Sequence, residues 1–386
     1  MRAGRGGGGG ATLPRHLVLG SLRHAVTRYA SDLAEAIDAL VGVAGSPMAV
    51  AVDSAGSAVR AETASEAIGA VAGIQNLHLQ FTDRLFGQAP ELAADLVEEL
   101  ARRARVTVTL HDLPQPSDGA KNLPRRAAAY ARVAEAAAGV VCNSRHEALL
   151  LAEYSAPRLT REVAVIPLPV GDGGSAAGNA AGSAAGSAAA TIGTPATDPG
   201  RAAAAASLSM PAPTRDEAAI LGYFYPGKGH AELIDAVARS GLDVTVTALG
   251  TAAPGHEAEL AAVSVSASEV GVRFESTGYL ADAELLERCQ RVAVPVAAHQ
   301  HLSASASINT WIAAGRRPLV PTGRYTRELA ELRPGTVTLY DPDLLHLALA
   351  VAAAEPASTW LAPGTSIRPH LADTAERYLA WWEGLG

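Results

Sequence analysis

The sequence has few cysteines, aromatic residues and charged residues, and it lacks long apolar runs. Its 386 residues include two cysteines, Cys142 and Cys289, and 18% charged residues. Two cysteines within apolar stretches exclude a disulfide framework or a cysteine-based zinc site and favour a reducing, cytoplasmic location. No run of about 18 apolar residues occurs, and the arginine-containing N-terminus lacks the apolar core of a signal peptide. We therefore expect neither a membrane span nor secretion by that route.

A surplus of positive charge is also missing. Lysine and arginine number 31 against 39 aspartates and glutamates, which gives a net charge of -8. The chain as a whole has no electrostatic attraction for nucleic acid or for an anionic membrane. We expect no nucleic-acid partner, and any phosphate must be bound by a local site. Peripheral membrane association remains an open alternative, although no basic amphipathic stretch in the sequence requires it.

The composition instead predicts a globular protein of two domains. Hydrophobic residues make up 48% of the chain, and its length allows two or three domains, each with a core. Residues 171–214 are rich in glycine, alanine and serine, which bury little surface, so they are interpreted as a linker. The expected divisions are a disordered N-terminus (1–14), an N-terminal domain (15–170), the linker (171–214) and a C-terminal domain (215–386).

Short apolar runs alternate with helical patterns on both sides of the linker, which is typical of doubly wound α/β domains. The runs predicted as strands are 16–20, 46–53, 76–81, 105–112, 138–144 and 161–168, then 218–224, 244–250, 272–279, 291–298, 316–322 and 336–340. Parallel strands place ligand sites at their carboxyl ends, so two such domains predict a cleft between facing strand edges.

The segment GYFYPGKGH, from Gly222 to His230, carries the clearest chemical signal. It follows a predicted strand and precedes a predicted helix, an order that aims free backbone N–H groups and the charge of Lys228 at an anion. The alternative is a tight loop with a solvated lysine. A Walker A loop is disfavoured because Gly229 replaces the serine or threonine that holds magnesium.

The stretch ILGYFYPGKGHAELIDAV resembles the start of the C-terminal domain in retaining GT-B glycosyltransferases of the GT4 (glycosyl transferases group 1) type. The order of VVCNSRHEALLL, VAVIPLPV, STGYLADAELLERCQ and SINTWIAAGRRPLVPTGRY is similar to that family as well. The resemblance implies a GT-B architecture of two Rossmann-like domains facing a cleft, with the last helix packed back on the N-terminal domain.

The resemblance also implies roles for individual residues. Lys228 corresponds to the lysine that holds the donor diphosphate, in a loop shaped by Gly222, Gly227 and Gly229. His111, at a strand end, corresponds to a residue near the transferred sugar. Its alternative is a strand-end histidine satisfied by backbone. Asp112 beside it is a candidate to orient the imidazole or the acceptor hydroxyl.

The chain departs from the family in one stretch. The family carries two glutamates eight positions apart before its "A-x-G" helix, whereas PVAAHQHLSASASINTWIAAG contains no carboxylate. Hydroxyls and a helix N-terminus suit a diphosphate or sugar hydroxyls. We therefore expect donor binding in altered form, and the stretch supplies these candidate donor-binding residues: His299, His301, Ser303, Ser305 and Ser307. A shared metal on the two histidines lacks a third ligand, so no metal is predicted.

The N-terminal half supplies candidates for the acceptor side. His24 lies in the first strand-to-helix turn, and Asp83 and Arg84 follow the NLHLQF strand. Residues at such strand ends face the ligand crevice, although a solvated helix face is an equal alternative for His24. Nothing in these loops identifies the acceptor.

Together these features predict a glycosyltransferase (a hexosyltransferase) that transfers a sugar from a nucleotide-diphosphate sugar to an unidentified acceptor, with retention and without a cofactor. The acceptor classes considered are a sugar, a lipid-linked molecule or a small molecule. Two alternatives remain: a non-catalytic relative that binds a nucleotide-sugar or a protein, and a nucleotide-sugar epimerase or phosphorylase.

Overall fold

A computed structural model describes residues 12–42, 56–171 and 215–385. These residues form two six-stranded sheets in which every strand pair is parallel. The strands are β1 Arg15–Leu19, β2 Ala58–Ala61, β3 Asn76–Phe81, β4 Arg105–Leu110, β5 Gly139–Cys142, β6 Val163–Val165, β7 Arg215–Leu221, β8 Thr245–Leu249, β9 Phe274–Ser276, β10 Val292–Val296, β11 Leu319–Pro321 and β12 Thr338–Tyr340.

Helices connect the strands and cover both sheets. They are α1 Ala25–Val41, α2 Ala64–Ala70, α3 Asp83–Phe86, α4 Pro90–Arg103, α5 Gly119–Ala136, α6 Arg145–Leu150, α7 His230–Ser240, α8 Glu257–Glu269, α9 Asp282–Arg291, α10 Ala306–Ala313, α11 Arg324–Leu332, α12 Leu345–Ala354 and α13 Leu371–Gly384. A π-helical turn, Leu151–Ser155, extends α6. None of the helices in the described ranges is both long and apolar enough to cross a bilayer.

The predicted α/β class is confirmed by two doubly wound sheets. The first has the strand order β2-β1-β3-β4-β5-β6 and the second β12-β11-β10-β7-β8-β9. Eleven of the twelve predicted strand segments overlap an observed strand. The twelfth, 46–53, lies outside the described residues, and β2 at Ala58–Ala61 is a strand that the sequence reading did not predict.

The strand order places a switch point in each sheet. In the first sheet the chain continues from β1 to β2 on one side and resumes at β3 on the other; in the second, β8 and β10 lie on opposite sides of β7. Loops leave a switch point in opposite directions and open a crevice at the carboxyl ends of the strands. The crevices are therefore lined by the loops after β1 and β3 and by the loops after β7 and β10.

The C-terminal helix α13 belongs to the core of the first sheet. Tyr378 and Trp382 are buried there in a cluster with Leu33 and Ile37 of α1 and Val141 of β5. The chain thus crosses from the second sheet back to the first, and these aromatic side chains contribute packing to the core.

Arg316 is a fully buried cation that ties the second sheet to the segment before α13. Its Nη1 donates to the carbonyls of Cys289 at 2.9 Å and Val292 at 2.6 Å, and its Nη2 donates to Thr359 Oγ1 at 2.8 Å. The guanidinium also stacks on Trp360, with 4.3 Å between Cζ and the ring centroid. Backbone carbonyls, not a carboxylate, satisfy this charge.

We expect Arg316→Met to lower the free energy of unfolding by about 3 kcal/mol, because several buried carbonyls lose their donor at once. Urea denaturation measures the change. Arg291→Met is the matched control, because Arg291 forms an exposed i,i+4 pair with Glu287 and its loss should amount to less than about 0.5 kcal/mol. Equal effects of the two substitutions would contradict the structural role of Arg316.

Candidate functional site

Lys228 lies in the loop between β7 and α7, at the switch point of the second sheet. Its side chain is 7% exposed, and burial lowers its pKa to about 7. Within the described residues no carboxylate forms an ion pair with it, and the centroid of the Tyr225 ring lies 5.5 Å from Nζ. A buried ammonium without a counter-ion is unfavourable unless an anionic ligand completes the site.

Glycine allows the loop to close around this ammonium. Gly222 and Gly229 both have φ near +100°, which favours glycine. A Cβ on Gly222 would lie 3.4 Å from Lys228 Nζ and 4.0 Å from Ser307 Cβ, whereas one on Gly229 would overlap the Ala298 carbonyl. The loop therefore packs directly on the strand end of β10. Gly227 lies at its tip, also with positive φ.

The serines predicted for the donor site lie at the N-terminus of α10. Ser305 caps the helix, since its Oγ accepts from Ile308 N at 3.3 Å, and it lies 3.1 Å from Ser307 Oγ. The position of Ser307 beside Gly222 directs this helix end at the Lys228 loop. Ser303 has a different neighbour, because its carbonyl accepts from Ser144 Oγ of the first sheet at 2.9 Å.

The two histidines after β10 do not share one face. His299 is buried, its Nδ1 has no hydrogen-bond partner in the described residues, and burial followed by Lys228 lowers its pKa. His301 is exposed. The segment is a loop, so the two-residue spacing of a strand does not apply. Only His299 therefore joins Lys228. No group of three or more metal-ligating side chains occurs among the described residues.

On the facing domain, both ring nitrogens of His111 are occupied by protein groups. Asn143 Nδ2, which can only donate, lies 3.2 Å from Nδ1, and Nε2 lies 2.7 Å from Gln80 Oε1. This network assigns the neutral tautomer with hydrogen on Nε2. Burial lowers the pKa of the imidazole to about 4. Side chains, and not the backbone of the alternative interpretation, satisfy both ring nitrogens, and the role of His111 near the transferred sugar stays a prediction.

The network continues into the first sheet. Gln80 Nε2 lies 3.2 Å from His78 Nε2, and His78 Nδ1 lies 2.9 Å from Thr107 Oγ1. At its other end, Glu147 Oε2 accepts from the backbone N of Asn143 at 2.8 Å. Burial raises the pKa of Glu147 to about 8, so the acid is mainly neutral at pH 7. The sequence reading missed Gln80, Asn143 and Glu147.

Asp112 is an exposed acid directly after β4, at the carboxyl edge of the first sheet. It is exposed, and its φ of 51° is the only positive value outside glycine in the described ranges. Strained backbone of this kind concentrates at functional sites. Its carboxylate accepts from Thr82 Oγ1 at 3.3 Å and does not orient His111, contrary to one of its expected roles. Across the cleft, burial and the charge of Asp112 raise the pKa of Tyr225 to about 12.

The acceptor-side candidates separate into two groups. Asp83 is buried and ion-paired with Arg126, at 3.0 Å from Nε and 3.1 Å from Nη2, so its carboxylate is not free to contact a ligand. Its place on the acceptor side stays a prediction. Arg84 is exposed, and His24 begins α1 without capping it. Burial lowers the pKa of His24, while the charge of Asp112 raises it and that of Arg84 lowers it.

We expect His111 to stay uncharged and not to titrate between pH 5 and 8, because burial disfavours its imidazolium form. Two-dimensional ¹H–¹⁵N NMR of the imidazole should show the Nε2–H pattern throughout. His111→Gln identifies the signal by its disappearance. A midpoint between pH 6 and 7 would show instead that the ring is open to the cleft.

Comparison with solved structures agrees with this architecture. Anabaena Alr3699/HepE, in complex with UDP and glucose, is 13% identical with a TM-score of 0.59, over 96% of this chain and 95% of that one. The sucrose-phosphate synthase of Thermosynechococcus elongatus is 15% identical, with a TM-score of 0.59 over 96% of each chain. AviGT4, a glycosyltransferase involved in avilamycin A biosynthesis, is 13% identical, with a TM-score of 0.54 over 96% of this chain and 98% of its own.

The sequence comparisons give no match: no protein-family model and no curated protein matches the chain. At these identities the structural similarity establishes the fold and not the activity. The two doubly wound sheets of this chain, facing each other across a cleft, have the GT-B fold of the glycosyltransferases just described.

Proposed function

We propose that this protein is a glycosyltransferase that binds a nucleotide-diphosphate sugar at Lys228 and transfers the sugar to an acceptor held by the first sheet. The observation that carries the proposal is the buried, uncompensated ammonium of Lys228 beside the N-terminus of α10. Both features stabilise a diphosphate, whose negative charge grows as the glycosidic bond breaks. The fold similarity to a protein solved with UDP and glucose supports the same interpretation.

The donor-side roles follow from geometry. The ammonium of Lys228 and the hydroxyls of Ser305 and Ser307 would contact the diphosphate, in a loop that Gly222, Gly227 and Gly229 keep free of side chains. His299 would contact the sugar or the phosphate through its unpartnered Nδ1. Because the segment from His299 to Asn309 contains no carboxylate, the sugar would be held by neutral and cationic groups.

On the first sheet, Asp112 would accept a hydrogen bond from the acceptor hydroxyl. His111 would act as a positioning residue beneath it, because both of its ring nitrogens are occupied.

We propose retention of configuration: the bond between the acceptor oxygen and C1 forms on the face from which the diphosphate leaves. The acceptor proton passes to a phosphate oxygen. We further propose that no metal is needed and that the reaction is cytoplasmic.

A second candidate function is a non-catalytic binding protein. It is favoured by the absence of the two glutamates. Both candidates require nucleotide binding, so a transfer assay separates them. Incubation with UDP-glucose and a panel of acceptors should release UDP if the protein is a transferase using that donor. Binding of a nucleotide-sugar without release of nucleotide across donors and acceptors would favour the binding protein.

We expect Lys228→Ala to weaken UDP binding at least about tenfold, because a charge-assisted contact to phosphate is lost. Calorimetric and thermal-shift titrations of UDP, GDP and ADP measure the effect. The chain offers a matched control, since its only other lysine is the exposed Lys121. Lys121→Ala should bind as the wild type does. Absence of binding by every nucleotide would contradict the donor site.

The pH dependence of UDP binding tests the protonation state of Lys228. Binding requires the ammonium, and burial places the pKa of Lys228 at about 7 in the free protein. The charged form therefore predominates below pH 7 and is depleted above it. We expect the UDP affinity to fall by up to about tenfold per pH unit above 7, until the pKa of the complex is reached. Lys228→Arg, which stays charged, should remove this dependence if it binds.

We expect no covalent glycosyl-enzyme, because no carboxylate in the described part of the second sheet lies against Lys228 to act as a nucleophile. Intact-mass spectrometry after acid quenching of the enzyme with UDP-glucose should show the unmodified chain during turnover. Accumulation of a protein-bound hexose that decays on addition of acceptor would overturn front-face displacement.

A further inference from the structure

We infer that Ser144 and Glu328 are positioning residues for the proposed transfer, because they join the helix beside His111 to the donor-site segment of the second domain. The inference rests on the proposed function and adds two residues to which that function assigns no role. It derives from direct hydrogen bonds between α6 and the loop before α10, and between α6 and α11.

The hydroxyl of Ser144 makes two hydrogen bonds, and one of them joins the two domains. Ser144 is 2% exposed and immediately precedes α6. Its Oγ accepts from the backbone N of Glu147 at 2.9 Å, which caps the helix, and donates to the carbonyl of Ser303 at 2.9 Å. A hydroxyl has a single proton, so the bond to Ser303 fixes its orientation. The cap of a helix in one domain is therefore also a contact with the other domain.

The residue before Ser144 supports His111. Asn143 Nδ2 lies 3.2 Å from His111 Nδ1 and donates to the Leu110 carbonyl at 3.3 Å. Asn143 and Ser144 are consecutive, so one planar peptide unit joins the group that holds the imidazole to the group that binds Ser303. Consecutive Cα atoms are about 3.8 Å apart, which leaves little freedom between the two contacts. The position of Ser303 is thereby tied to that of the imidazole.

On the second domain, Ser303 begins the segment that carries the donor-site serines. Ser305, two residues later, caps α10, and its Oγ lies 3.1 Å from Ser307 Oγ. The backbone N of Ser305 donates to the hydroxyl of Tyr325 in α11 at 3.2 Å. The segment is thus held at two points, by α6 through Ser303 and by α11 through Tyr325.

Glu328 of α11 completes the first turn of α6. Its carboxylate accepts from the backbone N of Arg145 at 2.6 Å and from that of His146 at 3.0 Å. These N–H groups have no acceptor within their own helix, because the first turn of a helix has no preceding helical carbonyls. The bonds made by Ser144, Tyr325 and Glu328 therefore form a three-way contact between α6, the donor-site segment and α11.

The three-way contact connects the two halves of the proposed active site directly. Other hydrogen bonds between the domains, from Arg333 and Asn309, end on the carbonyls of residues 168 and 169 and not beside His111. Transfer requires the acceptor oxygen, held by the first sheet, to lie about 3–3.5 Å from C1 of a sugar held by the second, and a misplacement of about 1 Å can cost about a hundredfold in rate. Nucleotide binding, which the proposal confines to the second domain, does not depend on this distance. Loss of the contact should therefore lower kcat and leave the UDP affinity unchanged.

Ser144→Ala and Thr63→Ala form a matched pair of variants. Thr63 caps α2 by accepting from Glu66 N at 3.3 Å, but it is exposed and its cap lies within the first domain. Each variant loses one helix cap, so we expect similar melting temperatures. The kcat for UDP release from UDP-glucose with the acceptor panel should fall at least about tenfold in Ser144→Ala and stay unchanged in Thr63→Ala. Ser144→Thr keeps a capping hydroxyl and should restore kcat.

A second pair of variants tests Glu328. Glu328→Gln leaves one oxygen for two backbone donors, whereas Glu331→Gln removes only an exposed ion pair, in which Arg145 Nη2 lies 2.5 Å from Glu331 Oε2. We expect Glu328→Gln to slow transfer at unchanged UDP affinity, as Ser144→Ala does, and Glu331→Gln to behave as the wild type. Transfer at the wild-type rate in both Ser144→Ala and Glu328→Gln overturns the inference.

Failure of the proposed function gives a different pattern. If the wild type binds UDP but transfers no sugar, the transferase proposal fails, and the Nε2–H resonance of His111 tests the link between the domains. UDP should shift this resonance in the wild type and in Thr63→Ala but not in Ser144→Ala. A shift that persists in Ser144→Ala, or that is absent from the wild type, overturns the inference. If the wild type binds no nucleotide, the donor site and the inference are both refuted.

Discussion

Hydrogen bonds to the backbone of the segment that leaves the first sheet fix how the two sheets face each other. Arg333 Nη2 donates to the Leu168 carbonyl at 2.7 Å, Asn309 Nδ2 to that of Pro169 at 3.1 Å, and the backbone N of Val170 to Pro369 at 2.9 Å. Val170 is itself buried in the core of the second domain. Because these partners come from α10, the end of α11 and the segment before α13, which supplies the accepting carbonyl of Pro369, the carboxyl edges of both sheets are held toward one cleft. Every proposed ligand contact depends on this arrangement.

The two sides of that cleft, the first sheet and the second, differ in whether their buried polar groups have hydrogen-bond partners. On the first sheet, the imidazole of His111 has a partner for each nitrogen, so the network fixes one tautomer and one orientation. On the second sheet, the ammonium of Lys228 and Nδ1 of His299 have none in the described residues. Satisfied networks give rigidity, whereas unsatisfied buried groups mark a position that a ligand completes. The His111 imidazole is therefore preorganised, although Asn143 Oδ1 and Glu147 Oε1 in the same network have no partner in the described residues, and Lys228 lies where a ligand would complete the site.

The sequence was sufficient for the fold and for the Lys228 loop, because both depend on local patterns. Apolar strands, glycines and a lysine before a helix are readable from spacing alone. The His111 network was not, since its members come from three strands and a helix N-terminus. A partial signal exists: His78 and Gln80 alternate in β3 as Thr107 and Thr109 do in β4, which predicts one polar face across paired strands. The prediction that His299 and His301 have the two-residue spacing of a strand was wrong, because both residues lie in the loop after β10.

The absence of a carboxylate from residues 299–309 does not by itself indicate a non-catalytic protein. A chain released from ligand binding gains stability by replacing an uncompensated buried cation with an apolar side chain of similar size. Lys228 is such a cation, and it lies in a loop that Gly222 and Gly229 close with positive φ values that favour glycine. An anionic ligand would offset the desolvation of this ammonium. Under the proposed function, the missing carboxylates would alter which sugar is held, the diphosphate contacts of Lys228 would remain, and turnover would depend on Asp112.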